Sequence, residues 1–487
     1  MRHLASSLAL TFACFGCCVQ AQQPSGRTYD LHAKEPVNAP ADWRLINDAL
    51  FERPVEDFKS AAIRLYVWGM PLMHGAMIRD KFVKGDSNRS GSSLNRFVHH
   101  RLLAGPDTRI GVGINNDTIY SLAWVDLKDG PLILTTPDFG DRYYTFSMNF
   151  ADTSANLSLG RRTHGGQLPP VFIHGPNYRG QMPQGLLIVP SETRYLLIAG
   201  RVLVRSPDEY PAVHALQDQI GLVRWEDWNA GMRVAASPPS APLAAFPDPD
   251  APEFLRFLIR LNSIVQDWSF QPKDKPVLDA LAFLEMGPGT RFDPVRLSPE
   301  ARRDIESGIN EARNLVSARA LQLGIQRNGW TINYSGPRFG NDYLLRAGVA
   351  KDQPNVAIPE EALYPLARVD ASGKPLNGRY TYQVRFKPGL LPPVNAFWSI
   401  TAYDDNGRMM ANQANRYSVG DRTAGLCKDP DGGLTITISA RPPKAGPSTN
   451  WLPVSRDAPF YLMLRLYQPR EEILRQIWLP PAVNRIN

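Results

Sequence analysis

Hydrophobic and polar positions alternate over short runs toward both ends of the chain, and apolar positions recur at helical spacing between them. On the N-terminal side, runs at 118–127, 131–136, 142–150, 171–174, 186–189 and 195–204 predict strands, divided by turn residues such as Asp129-Gly130. On the C-terminal side Tyr380, Tyr382, Val384 and Phe386 alternate strictly, as do Leu434, Ile436 and Ile438. Runs at 397–403 and 460–467 add further strands, and Asn377-Gly378, Asn406-Gly407 and Asp431-Gly432 supply hairpin chemistry. Ile63, Tyr66, Val67 and Met70 follow Pro54-Val55-Glu56-Asp57 at helical spacing, with Pro71 expected to kink or end that helix. Further helices are predicted at 208–222, 252–268, 298–323 and 342–350. The third opens on Ser298 as N-cap with Pro299 behind it, and Gly324 is its expected stop.

These elements predict an α+β chain, mainly β with helical segments. An irregular stretch at 22–54 precedes an N-terminal β-sandwich or jelly-roll-like domain with a leading helix at 55–206. A helical connecting region at 207–350 then leads to a second such domain at 351–487. Residues 144–152 and 397–404 echo each other: an aromatic, alternating small polar residues and a closing Asp, each after a proline (Pro137, Pro393). Either the sandwich is duplicated, or two strands share a short pattern by chance.

The first residues change the picture of where the protein works. Met1-Arg2-His3 is basic, 4–18 is apolar, and Val19-Gln20-Ala21 has the form of a signal-peptidase site. The expectation is a signal peptide removed after Ala21 and an exported protein, periplasmic or extracellular; lipid attachment at Cys17 is the competing reading. Removal of that segment takes Cys14, Cys17 and Cys18, which leaves Cys427 alone and no intramolecular disulfide or cysteine metal cage. No histidine follows His214 to activate that thiol. No later run approaches the length of an apolar membrane span.

Composition narrows the function classes. Of the 487 residues 43% are hydrophobic and 21% charged, enough apolar surface for a large core, and the 43 prolines and 37 glycines favour many short elements. The net charge of +7 is spread without blocks of like charge, so it argues against nucleic acid and allows an acidic partner.

Two sets of motifs carry a family resemblance. The first is Asn115-Asn116-Asp117-Thr118-Ile119-Tyr120, then Asp129-Gly130-Pro131 and Asp141-Arg142-Tyr143-Tyr144. The second is Leu391-Pro392-Pro393-Val394-Asn395-Ala396-Phe397-Trp398-Ser399, then Asn415-Arg416-Tyr417, Asn450-Trp451-Leu452-Pro453 and Arg465-Leu466-Tyr467. On these residues the chain resembles the bacterial proteins that join domain of unknown function 1254 to domain of unknown function 1214. The resemblance covers almost all of the chain after residue 21. It implies two β-sandwich domains with helical segments, and it implies no established activity. The chain departs from that pattern at Ala151-Asp152-Thr153-Ser154-Ala155-Asn156, which would alter the substrate if this loop lined the site.

The chemistry on offer is modest. There is no nucleophile-elbow motif, zinc-protease motif or P-loop, and no nucleotide or haem signature. Gly111-Val112-Gly113 fails as a dinucleotide fingerprint because Asn116 stands where the third glycine belongs and a strand follows. Asn115, Asn116 and Asp117, with Tyr120 beside them, could bind a polar ligand or a divalent cation through oxygens, with Asp117 as a base; the same residues also suit a plain turn. Asp138, Arg142 and Tyr144 form a second candidate group, in which Arg142 offers a fork for an oxyanion or simply a surface ion pair. His74, His99, His100, His164 and His174 show no metal-ligand spacing. In the second half Asn395, Trp398, Arg416 and Arg465 are ligand-binding candidates; Arg465 faces away from Leu462, Leu464 and Leu466, toward solvent or an acid in a cleft. Two functions remain open. One is a hydrolase for a polar or glycan-like ligand, with Asp117 and Asp138 as acid and base. The other is a non-catalytic periplasmic or envelope-associated protein that binds an acidic or glycan partner, and in either case a homo-oligomer stays open.

Overall fold

The computed structural model describes residues 41–86, 89–108, 111, 113–233, 249–444 and 448–486. The expected signal peptide therefore lies outside the described residues. The fold is mixed α+β, about 30% helix and 25% strand, with several largely antiparallel sheets.

The first β module comprises β1 Thr118–Asp126, β2 Leu132–Thr135, β3 Tyr144–Phe150, β4 Leu157–Gly160, β5 Val171–His174, β6 Leu187–Pro190, β7 Tyr195–Leu203 and β8 Gly221–Arg224. One sheet runs β1-β7-β3-β4, extended at β1 by Val98–His99, and the other runs β8-β2-β5-β6. The second module comprises β9 Leu366–Ala367, β10 Tyr382–Phe386, β11 Val394–Tyr403, β12 Ser418–Gly420, β13 Leu434–Ser439, β14 Trp451–Pro453, β15 Tyr461–Pro469 and β16 Val483–Arg485. Its sheets run β9-β15-β11-β12, extended beyond β9 by Trp330–Ile332 and Ile325–Arg327 and with Ala362–Leu363 also paired to β15, and β16-β10-β13-β14. Strand for strand the two orders coincide. The one parallel pair within each module also falls at the same place, β5 with β6 and β13 with β14. The two echoing segments start on β3 and β11, the third strand of each module, so the echo marks a repeated topology.

Alternation explains the packing. In β1, Ile119, Ala123 and Val125 point into a core shared by both sheets of the first module, with Leu134, Phe146, Ile173 and Ile198. In β15, Leu462, Leu464 and Leu466 do the same in the second module, against Val384, Ile436 and Ile400. The opposite faces of β1, β7 and β15 are what remains to build a site.

Six of the helices form a layer of their own. They are α1 Ala41–Glu52, α2 Phe58–Lys84, α3 Glu253–Val265, α4 Lys275–Phe283, α5 Pro299–Ala320 and α6 Tyr343–Asp352. Trp68, Leu258, Leu281, Ile309 and Leu344 share its core. Ser298 caps α5 as expected, accepting from Ala301 N at 3.1 Å. Three expectations are corrected. Residues 41–52 are helical because Asn47 bonds Asn341 O (3.1 Å) and Leu344 N (3.2 Å) across the fold, a tertiary tie that local pattern does not show. Pro71 does not end α2, which continues to Lys84. The helix expected at 208–222 stops at Gln217, and β8 follows it to pair with β2 in the first module.

The helical layer is fastened to the first module at the loop after β3. A Cβ on Gly75 of α2 would lie 2.3 Å from Ala151 O, so only glycine lets the helix approach. Beside it Arg346 of α6 pairs with Asp152 at 2.6 Å and donates to Trp68 O at 2.7 Å. The 151–156 loop thus meets helices, and none of its residues lines the cavity described below.

Candidate functional site

The free faces of the two modules look at each other, and α2 closes one side. Between them lies a cavity of about 420 Å³. The first-module wall is ordered. The pairs Tyr120–Arg201, Leu122–Ala199 and Trp124–Leu197 lie side by side on β1 and β7, so the wall passes from polar to apolar over about 13 Å at strand rise. The second-module wall is Tyr461, Met463 and Arg465 of β15, with Leu366 and Tyr364. Ile78 and Phe82 of α2 close the apolar side, and exposed Lys81 and Arg368 stand among the lining residues.

The polar end is built from residues far apart in sequence. Arg201 donates to Tyr364 OH at 2.8 Å, its guanidinium 5.6 Å from the Tyr120 ring centre. Arg465, 1% exposed, donates to Thr401 Oγ1 (3.0 Å), Gly113 O (2.6 Å) and Tyr403 OH (2.6 Å). Its face is the inter-module cleft, and the partners there are neutral rather than the acid that was one expectation. Burial pushes the Tyr403 phenol up to about 12.

Asp117 lies behind this end and is 1% exposed. It is ion-paired to Arg422 and accepts from Ser399 Oγ (2.8 Å) and Tyr467 OH (3.3 Å), all in the second module. A parallel link joins Tyr143 OH to Glu361 Oε1 at 2.8 Å, with Arg162 3.0 Å from the same carboxylate. Near Arg422, Asp421 accepts from Trp398 N at 3.3 Å; its side chain is 34% exposed, and partial desolvation raises its carboxyl to about 6. A carboxyl held above its ordinary 3.8 keeps its proton in the folded chain and loses it in the unfolded one, so its contribution to stability falls as pH rises from about 4 to about 6. Asp421→Asn removes that contribution. The melting temperature of the wild type is therefore expected to fall relative to the variant across this window; parallel profiles would contradict it.

The sequence-predicted residues divide clearly. Asn115, Tyr120 and Arg465 line the cavity. Asn115 donates to Tyr120 OH, and its Oδ1 accepts from Asp117 N (2.8 Å) and Thr118 N (2.7 Å), which is the turn geometry weighed above. Asn116 donates to Ala104 O at 2.5 Å. Asp138 is exposed and accepts from Gly140 N at 2.7 Å in a turn, while Arg142 pairs with Glu209 at 2.6 Å. Tyr144 and Trp398 are buried in the cores of their modules, Tyr144 against Phe139 at 4.0 Å and Trp398 against Phe386 at 5.2 Å. Asn395 accepts from Arg470 Nε at 3.1 Å, and Arg416 donates to Ser448 O and Trp451 O. None of these last seven lines the cavity.

Arg201, Tyr364 and Trp124 were missed, and His74 and His100, weighed above only as metal ligands, also line the cavity. Arg201 carried a readable signal, a lone arginine in the apolar run 195–204, the same feature that singled out Arg465. Among the described residues no group of three or more His, Cys, Asp or Glu side chains is placed to hold a metal ion, and no helix is long and apolar enough to cross a membrane. Cys427 is exposed and unpaired in any disulfide. A second cavity, of about 450 Å³, lies between the 127–130 and 175–179 turns and residues 266–269. Its Arg194 is already taken by Asp126 and Asp267, each at 2.7 Å.

The VPA0106 protein of Vibrio parahaemolyticus is 23% identical, with a TM-score of 0.65 over 88% of this chain and all of that one, and so shares the fold. An uncharacterised protein of Burkholderia cenocepacia is 13% identical with a TM-score of 0.43 over 92% of this chain and 95% of its own. No curated protein matches. The model of the protein of unknown function DUF1254 matches residues 94–224, ending with β8, and that of the protein of unknown function DUF1214 matches 361–471, reaching just past β15. The chain belongs to the family that joins DUF1254 to DUF1214 in that order.

Proposed function

We propose that the chain is a small-molecule binding protein and that an elongated, largely apolar ligand lies in the cavity between its modules. The observation that carries this reading is the ordered wall from Tyr120 and Arg201 to Trp124 and Leu197, facing Met463 and Tyr461 across a volume suited to one small ligand. Asp117 and Asp138, the residues expected as acid and base, do not line that volume. We assign Asp117 the role of a brace between modules, which favours binding over hydrolysis. We read each module as a β-sandwich, and the first 21 residues as a signal peptide that would place binding outside the cytoplasm.

Decanol tests the reading, since its length matches the wall and it carries no charge. Isothermal titration of the full chain is expected to show saturable binding at one site with a negative heat-capacity change. Absence of saturable heat for decanol and its acidic analogues would sink the proposal.

A further inference from the structure

The charges around the cavity do not balance, and the imbalance names the ligand's head group. Three carboxylates between the modules are each paired with a different arginine: Asp117 with Arg422, Glu361 with Arg162 at 3.0 Å, and Asp352 with Arg368 at 3.4 Å. Asp421 shares Arg422 at 3.9 Å. Among the described residues Arg201 and Arg465 have no ion pair; they donate to hydroxyl groups and a backbone carbonyl. Arg201 Nε is buried with no hydrogen-bond partner at all. The acids that act on these two arginines, Glu361 on Arg201 and Asp117 on Arg465, are each ion-paired to another arginine, and a guanidinium that keeps a donor unused beside a cavity is suited to take an oxyanion.

We infer that the ligand is an amphiphile with an oxyanion head, a carboxylate or phosphate monoester, held at the Arg201 and Arg465 end with its apolar body toward Trp124 and Leu197. This rests on the cavity reading above and deepens it. Tyr120 and Tyr364 flank the head and orient it.

The test is a head-group series at constant chain length, titrated into the full chain: decanoate, decyl phosphate, decanol and decyltrimethylammonium. Decanoate or decyl phosphate is expected to bind about tenfold or more tighter than decanol, as a hydrogen bond between charged groups allows, with the ammonium weakest. The order of the first two decides between a carboxylate and a phosphate head. In Arg201→Met the preference for the acids over decanol should fall severalfold, while Arg201→Lys, which keeps the charge, retains most of it. Should Arg201→Met not fold, the wild-type series and the lysine variant still decide the matter. Equal binding of decanoate and decanol would overturn the oxyanion head yet leave the cavity reading standing; no binding by any of the four would overturn both.

Discussion

Replacing Asp117 by alanine should destabilise the protein by about 3–5 kcal/mol, the cost of removing one partner from a buried ion pair. The carboxylate holds Arg422, Ser399 and Tyr467, so its loss leaves a guanidinium and two hydroxyls without their acceptor at the junction of the modules. Because the affected groups sit on both modules, the loss should also lower the cooperativity of unfolding, seen as a smaller denaturant slope or a split transition. Asp117→Leu combined with Arg422→Met should regain much of the stability, since a buried pair can give way to apolar residues at little cost. A variant Asp117→Ala with wild-type stability would remove Asp117 from the brace and reopen its reading as a base.

The second large effect is on binding. Ala199 sits mid-wall between Arg201 and Leu197, opposite Leu122, with its methyl facing the cavity. An indole at this position fills the volume through which the apolar body would run. Ala199→Trp is expected to weaken decanol about a hundredfold or more, as loss of most of the buried ligand area requires. Stability should change by no more than about 1–3 kcal/mol, because the new ring enters existing space rather than a packed core. Unchanged decanol binding in a folded Ala199→Trp protein would move the ligand elsewhere on the surface.

Much of the fold was legible because it is local. Alternation in 380–386 and 434–438, the Ser298-Pro299 start of α5 and the turn residues between strands each state their structure within a few positions. The family motifs told the same story, and the two matched segments each fall on one β module. What could not be read is tertiary. α1 depends on Asn47 reaching residues 341 and 344, and β8 is a four-residue strand whose identity comes from pairing with β2. The site is harder still. Asp117 looked like chemistry because it is an acid in a polar cluster, but its partners lie 282, 305 and 350 residues away, and only the folded chain shows that they occupy it. Arg465 was rightly turned from its own module's core by alternation, whereas what it faces depended on how two sheets meet. The same rule applied to Arg201 would have placed both arginines on free faces, one in each module, and a cleft between them would have followed.

The central claim is that the space between the modules holds the ligand, apolar end toward α2. The most direct measurement is the position of the bromine in a crystal of the full chain bound to decanol brominated at its tail carbon, located by anomalous scattering. The account predicts one bromine in the cavity, against Trp124 and Leu197, with the hydroxyl end near Arg201. A bromine on the outer surface, or in the second cavity beside Arg194, would contradict it.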